Sequence, residues 1–119
     1  MENDMPQRFD LLIPTRARPL NLHRMLASIE DTADDPGRIT VFFYVDDDDE
    51  VTQHHIPGLR EHHPKLQLHF AVGPRIVLSK MYTGMAGDSR STGDILWSGG
   101  DDIVFRTKGW DTLIAAEFE

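Results

Sequence analysis

Three short apolar runs in this chain stop abruptly in polar, mostly charged residues, and segments of helical periodicity lie between them. Phe9-Asp10-Leu11-Leu12-Ile13 closes in Pro14-Thr15-Arg16-Ala17-Arg18. Ile39 to Val45 stops in Asp46-Asp47-Asp48-Asp49, and Asp94 to Ser98 runs into Gly99-Gly100-Asp101-Asp102. Short runs of this composition read as buried strands. After the first, Pro19 suits an opening helical turn, and Leu22, Met25, Leu26 and Ile29 recur at helical spacing. A helix is expected there, fading near Ala33 before the turn cluster Asp34-Asp35-Pro36-Gly37. Strands separated by helices make βαβ units and a mostly parallel sheet with helices on both faces, a three-layer α/β/α fold. Ligands of such sheets bind at the carboxyl ends of the strands, so the three polar strand ends are expected to converge on one edge.

The other segments fill in the same plan. Residues 51–63 are expected to form two short helical pieces, because Pro57-Gly58 interrupts them. Leu66, Leu68 and Phe70 alternate with polar residues as a third strand before Gly73-Pro74. Leu78, Met81 and Met85 predict a helix ending near Gly87. Ile103-Val104-Phe105 reads as a further extended piece, and Trp110, Leu113, Ile114 and Phe118 as the apolar face of a last helix. With 119 residues, all of these must share one core, so residues 1–119 form a single domain.

Charge and composition exclude several functions. The 20 acidic residues against 12 basic ones give a formal charge of -8, which argues against nucleic acid as a partner. The absence of cysteine rules out disulfides, thiolate metal sites and cysteine nucleophiles. No apolar run approaches the roughly 18–20 residues that span a bilayer, and the opening Met-Glu-Asn-Asp-Met-Pro lacks signal-peptide character, so a cytoplasmic location is expected.

Acidity concentrates where a cation would help. Residues 31–50 hold eight acidic side chains against the single Arg38. Adjacent carboxylates at a strand end repel unless a cation or hydrogen-bond donors compensate. Mg²⁺ or Mn²⁺ commonly takes one or two protein carboxylates and completes its shell with water and phosphate oxygens. Asp101-Asp102 suits that use, since Gly99-Gly100 lets a diphosphate approach the backbone; the plain alternative is a solvated turn. The run Asp46 to Asp49 reads alone as hydrated surface, yet its first aspartates follow a buried strand and can accept from a base N–H or ribose hydroxyl. Arg16, Arg18, Arg75 and Lys80 supply the opposite charge for phosphate oxygens. His54-His55 and His62-His63 raise zinc as a possibility, but Pro57-Gly58 removes the helical phasing that a shared face needs. Neither a Gly-x-Gly-x-x-Gly after the first strand nor a P-loop motif is present.

The order Leu11-Leu12-Ile13-Pro14-Thr15-Arg16-Ala17-Arg18-Pro19, then Val45-Asp46-Asp47-Asp48, then Gly93-Asp94-Ile95-Leu96-Trp97-Ser98-Gly99-Gly100-Asp101-Asp102 resembles the nucleotide-binding half of GT-A fold glycosyltransferases, especially the family 2 type. The resemblance implies transfer of a sugar from a nucleotide diphosphate sugar to an acceptor hydroxyl, with Mn²⁺ or Mg²⁺ at the diphosphate. By position, Thr15 matches the turn at the nucleoside, Asp47 the carboxylate that reads the base, and Asp46 its support. Asp101 matches the group near the ribose or sugar and the metal, Asp102 the metal ligand, and Arg75 or Lys80 the basic residue near the phosphates. The chain departs from the pattern in three ways. The metal motif reads Gly100-Asp101-Asp102, without its first acid, and Ser79-Lys80-Met81-Tyr82 stands where many relatives carry an Asn. Family members also usually continue into a half that binds the acceptor and supplies a general base, so the form implied is a truncated GT-A fold. Asp111 and Glu117 match no such base.

Two other functions compete with this one. A non-catalytic nucleotide-sugar-binding or structural module would expose Trp97, Trp110 and Phe118 as an apolar patch, which self-association into a homo-oligomer would cover. A receiver-like phosphoacceptor domain would need an acidic pair after the first strand, where this chain reads Pro14-Thr15-Arg16.

Overall fold

The computed structural model describes residues 7–86 and 94–118. Its central sheet has four parallel strands, β1 (Phe9–Thr15), β2 (Ile39–Asp46), β3 (Gln67–Gly73) and β4 (Ile95–Ser98), in the order β3-β2-β1-β4. The helices are α1 (Pro19–Thr32), α2 (Glu50–His62), α3 (Leu78–Ala86) and α4 (Trp110–Ala116), with one 3-10 turn at Pro36–Arg38. The expected helix end at Gly87 lies outside the described residues.

Period-two alternation along the central strands makes two apolar faces. Phe9, Leu11 and Ile13 of β1 and Ile39, Val41, Phe43 and Val45 of β2 pack with Leu22, Met25, Leu26 and Ile29 of α1. Leu59 of α2 and Trp110 and Ala115 of α4 complete that layer. The opposite residues Leu12 and Phe42 meet Met85 of α3, with Tyr44, Met81 and Tyr82 around them. The result is the expected three-layer α/β/α arrangement. Each of the four α1 side chains is fully buried, and burial of a side chain of this size contributes about 1.5–3 kcal/mol.

The structure departs from the sequence expectation at two places, α2 and α4. Residues 50–62 form one continuous helix through Pro57, not two pieces. An interior proline costs about 3 kcal/mol, but the helix is anchored on both sides of it. Asp49 caps the first turn through the backbone N–H of Thr52 at 3.1 Å and its hydroxyl at 2.6 Å. Beyond the proline, Leu59 is wholly buried in the core. Ile103-Val104-Phe105, read only as an extended piece, adds no strand to the sheet among the described residues, and Phe105 packs beside Trp97 and Trp110. In α4 the buried positions are Trp110, Asp111 and Ala115, whereas Leu113, Ile114 and Phe118 are exposed. Trp110 therefore belongs to the core, edge-on to Phe9 at 5.5 Å and donating its indole N–H to Thr32 Oγ1 at 3.0 Å, and takes no part in a surface patch. Among the described residues, no helix is long and apolar enough to cross a membrane.

Candidate functional site

Strand register brings the polar strand ends level. Thr15 lies beside Val45, and Asp46 beside Gly73, at the carboxyl edge of the sheet. A cleft of about 510 Å³ opens there, lined by Thr15, Arg16, Arg18, Asp46, Arg75 and Asp101. Its apolar wall comes from Pro14, Ile76, Leu78 and Met81. Six expected site residues thus converge. Asp47, Lys80 and Asp102 are exposed and do not line this cleft. Asp47 sits just past β2, its N–H donating to Gly73 O at 2.7 Å, while Lys80 lines an adjoining hollow with Arg75, Ile76 and Val77.

The charges in the cleft are arranged in two groups. Arg16 Nη1 donates to Asp46 Oδ2 at 2.8 Å and Asp48 Oδ1 at 2.7 Å, and Arg16 Nη2 to Asp48 Oδ2 at 3.4 Å. The Asp48 and Asp46 bonds raise the Arg16 pKa, and the Arg16 bond holds the Asp48 carboxyl below the usual range. Arg75 Nε stands 3.9 Å from the same Asp46 oxygen. The other oxygen, Asp46 Oδ1, is buried with no hydrogen-bond partner. In the second group, Asp101 is held on both oxygens: Thr15 Oγ1 donates to Oδ2 at 2.8 Å and Arg18 Nη1 to Oδ1 at 3.3 Å. Tyr44 frames the β2–β3 side by donating its hydroxyl to Pro74 O at 2.6 Å; burial, with Asp46 and Asp47 nearby, raises its pKa.

Sequence reasoning missed Asp49. Its side chain is buried, and besides capping α2 it accepts from the backbone N–H of Ala17 at 2.8 Å. Ala17 sits between Arg16 and Arg18 with φ 52, a left-handed conformation uncommon outside glycine. Burial pushes the Asp49 carboxyl up, and the bonds from Thr52 and Ala17 outweigh this and leave it below the usual range. An acid just ahead of a helical segment was the available signal. Asp111, by contrast, is fully buried and paired with Arg38, and no part of it lines the cleft.

Among the described residues, no group of three or more His, Asp or Glu is placed to hold a metal ion by itself. The two histidine pairs at α2 do not meet one another. His54 and His55 contact one another, while His62 and His63 gather about His23 of α1. A hard divalent ion takes one or two carboxylates and finishes its shell with phosphate oxygens and water; the adjacent acids available for that at this end of the cleft are Asp101, which lines it, and its exposed neighbour Asp102.

No protein-family model matches the chain, and no curated protein does. Solved structures do match. Mannosyltransferase PcManGT from Pyrobaculum calidifontis, in complex with GDP-Man and Mn²⁺, superposes with a TM-score of 0.77 at 18% identity over 96% of this chain and 32% of its own. S. aureus TarS 1-349, in complex with UDP, superposes with a TM-score of 0.67 at 14% identity over 91% of this chain and 31% of its own. The chain therefore spans about a third of the length of these two structures. What it shares with them is the fold, an α/β architecture of the GT-A glycosyltransferase type.

Proposed function

We propose that this single domain binds a nucleotide diphosphate sugar together with a divalent cation in the cleft at the carboxyl edge of the sheet, and serves transfer of the sugar to an acceptor hydroxyl. The observation that carries this reading is the convergence of Thr15, Arg16, Arg18, Asp46, Arg75 and Asp101 on one cleft at the carboxyl ends of the strands. Carboxylates there can accept from a nucleobase N–H or a ribose hydroxyl, and guanidinium groups there can pair with phosphate oxygens. The GDP-Man and Mn²⁺ of PcManGT and the UDP of TarS support the same chemistry for a fold of this type.

The residues divide the work by their geometry. Asp46 accepts from the base, with Asp47 beside it at the mouth. Arg16, bonded to both Asp46 and Asp48, keeps Asp46 in place. Arg18, Arg75 and, further out, Lys80 face the phosphates, where guanidinium forks match the oxygens. Thr15 fixes Asp101, and Asp101 with Asp102 would hold Mn²⁺ or Mg²⁺. Bound there, the cation would supply electrostatic stabilisation of the charge that develops on the leaving diphosphate.

Calorimetric titration of UDP, GDP, CDP and dTDP, with and without Mn²⁺, tests this on the wild type and Asp46→Asn. One diphosphate is expected to bind, more tightly with Mn²⁺, and to lose at least tenfold in affinity in Asp46→Asn. Absence of binding under every condition would reject the reading. A second reading, a module that binds the nucleotide sugar without turning it over, is favoured by the pairing of both cleft-lining carboxylates, Asp46 and Asp101, with arginines. An inverting transfer needs a base within reach of the acceptor. Nucleotide-sugar binding without release of the nucleoside diphosphate from any donor would select the module.

A further inference from the structure

The arginines of the cleft are held in different ways. Arg16 makes three hydrogen bonds to two aspartates. Among the described residues, the Arg18 guanidinium makes a single ion-pair contact, 3.3 Å from Asp101 Oδ1, and its side chain is 61% exposed while that of Asp101 is 8% exposed. The backbone of Arg18 is fixed, because its carbonyl accepts from Leu22 N in the first turn of α1 at 3.2 Å. Only the side chain needs to move for the guanidinium to leave. Asp101 would stay in place without it, since Thr15 grips the other oxygen at 2.8 Å. A loosely held cation therefore covers the Asp101 oxygen that Thr15 does not bond.

We propose that Arg18 is a displaceable counter-ion of Asp101: it occupies Oδ1 until a divalent cation takes that oxygen, and the freed guanidinium then pairs with the nucleotide's diphosphate. The inference rests on the proposed nucleotide and metal reading of the cleft and adds a coupling to it. A guanidinium and a divalent cation drawn to the same carboxylate oxygen repel one another. Metal binding at Oδ1 without nucleotide therefore works against the Arg18–Asp101 contact. With nucleotide present, the diphosphate offers the guanidinium a new partner, so cation and nucleotide favour each other's binding, and the coupling is reciprocal.

The test is a Mn²⁺ titration without nucleotide, reading free Mn²⁺ by electron paramagnetic resonance, on the wild type, Arg18→Gln, Asp101→Asn and the double variant. Exposed ion pairs are worth about 0.2–1 kcal/mol, so Arg18→Gln is expected to bind Mn²⁺ up to about fivefold more tightly. In the Asp101→Asn background the same change should have no effect. With Mn²⁺ saturating, Arg18→Gln should bind the preferred nucleoside diphosphate several-fold more weakly. Unchanged or weaker Mn²⁺ binding in Arg18→Gln would overturn the proposal, as would an equal gain in the Asp101→Asn background, or no Mn²⁺ binding by any variant. If no nucleotide binds any variant, the nucleotide reading falls by itself, while the Mn²⁺ comparison still decides whether Arg18 covers Asp101.

Discussion

The backbone N–H of Ala17 donates to Asp49 Oδ2 at 2.8 Å, tying the loop that carries Arg16 and Arg18 to the first turn of α2. One carboxylate thus does two jobs, helix cap and loop clamp. Asp49→Ala is expected to lose about 1–2 kcal/mol from the cap. It should also weaken nucleoside diphosphate binding, because the arginine loop loses its anchor. Ala17→Gly keeps the N–H and suits φ 52, so stability should be unchanged or slightly higher. Ala17→Val should destabilise, since a β-branched residue resists that conformation. Urea unfolding alongside calorimetry separates the two effects. Equal nucleotide affinity in folded Asp49→Ala would show that the clamp does not position the arginines.

Asp111 and Arg38 form a buried pair that joins α4 to the turn before β2. The Asp111 carboxylate accepts from the N–H groups of Asp34 at 2.8 Å and Asp35 at 3.0 Å, and lies 3.1 Å from Arg38 Nη2. Burial raises its pKa, and these donors more than reverse that, leaving it below the usual range. The Arg38 guanidinium lies over the Phe9 ring at 5.4 Å. Removing one partner of such a pair strands the other, which costs about 3–5 kcal/mol. Asp111→Ala should therefore be among the most damaging single changes in the chain, while Arg38→Ala loses a similar amount. A double variant much less unstable than the sum would confirm the coupling; strictly additive losses would refute it.

These residues mark where sequence reading stops. β1 and β2 were legible because their apolar runs are buried on both sides, and the convergence of Thr15, Asp46 and Asp101 followed from the parallel order of the strands. The face of α4 was not legible. Leu113, Ile114 and Phe118 carry the apolar pattern, yet the helix turns Asp111 inward, because its partner Arg38 lies 73 positions away in the chain. Continuity through Pro57 depended on a cap and a core contact at either end of α2, which no local propensity reveals. In the cleft, the residue types were readable, but which arginine is locked and which is loose depends on distances.

Gly73 sits where β3 passes the Tyr44 ring. A Cβ at this position would lie 2.6 Å from the Tyr44 hydroxyl oxygen, the group that donates to Pro74 O beside Arg75. Gly73→Ala is expected to cost about 1–3 kcal/mol by overpacking, and to weaken nucleoside diphosphate binding as the Pro74-Arg75 turn moves. In a Tyr44→Phe background the same substitution should cost less, because the overlapping oxygen is gone. Chemical unfolding of the four proteins checks this, and an identical cost in both backgrounds would exclude the hydroxyl as the cause.

His23 of α1 packs against His62 and His63 at the end of α2, and this contact is expected to weaken in acid. Its Nδ1 lies 3.1 Å from His63 Nε2, and His63 Nδ1 lies 2.7 Å from Glu30 Oε1. Of the two facing ring nitrogens, one must donate and the other accept. Burial lowers the His23 pKa, and His63, His62 and His55 lower it further. A base whose folded pKa lies below its unfolded value of about 6.5 binds a proton more readily when unfolded. Its contribution is thus fully present above the unfolded value and declines as pH falls through that value towards the folded one. Unfolding midpoints in urea should therefore drop between about pH 7.5 and pH 5.5. His23→Gln, which cannot take up a proton, should flatten that drop while folding normally at the upper pH. If the variant keeps the wild-type slope, the acid sensitivity comes from another group and His23 is not its source.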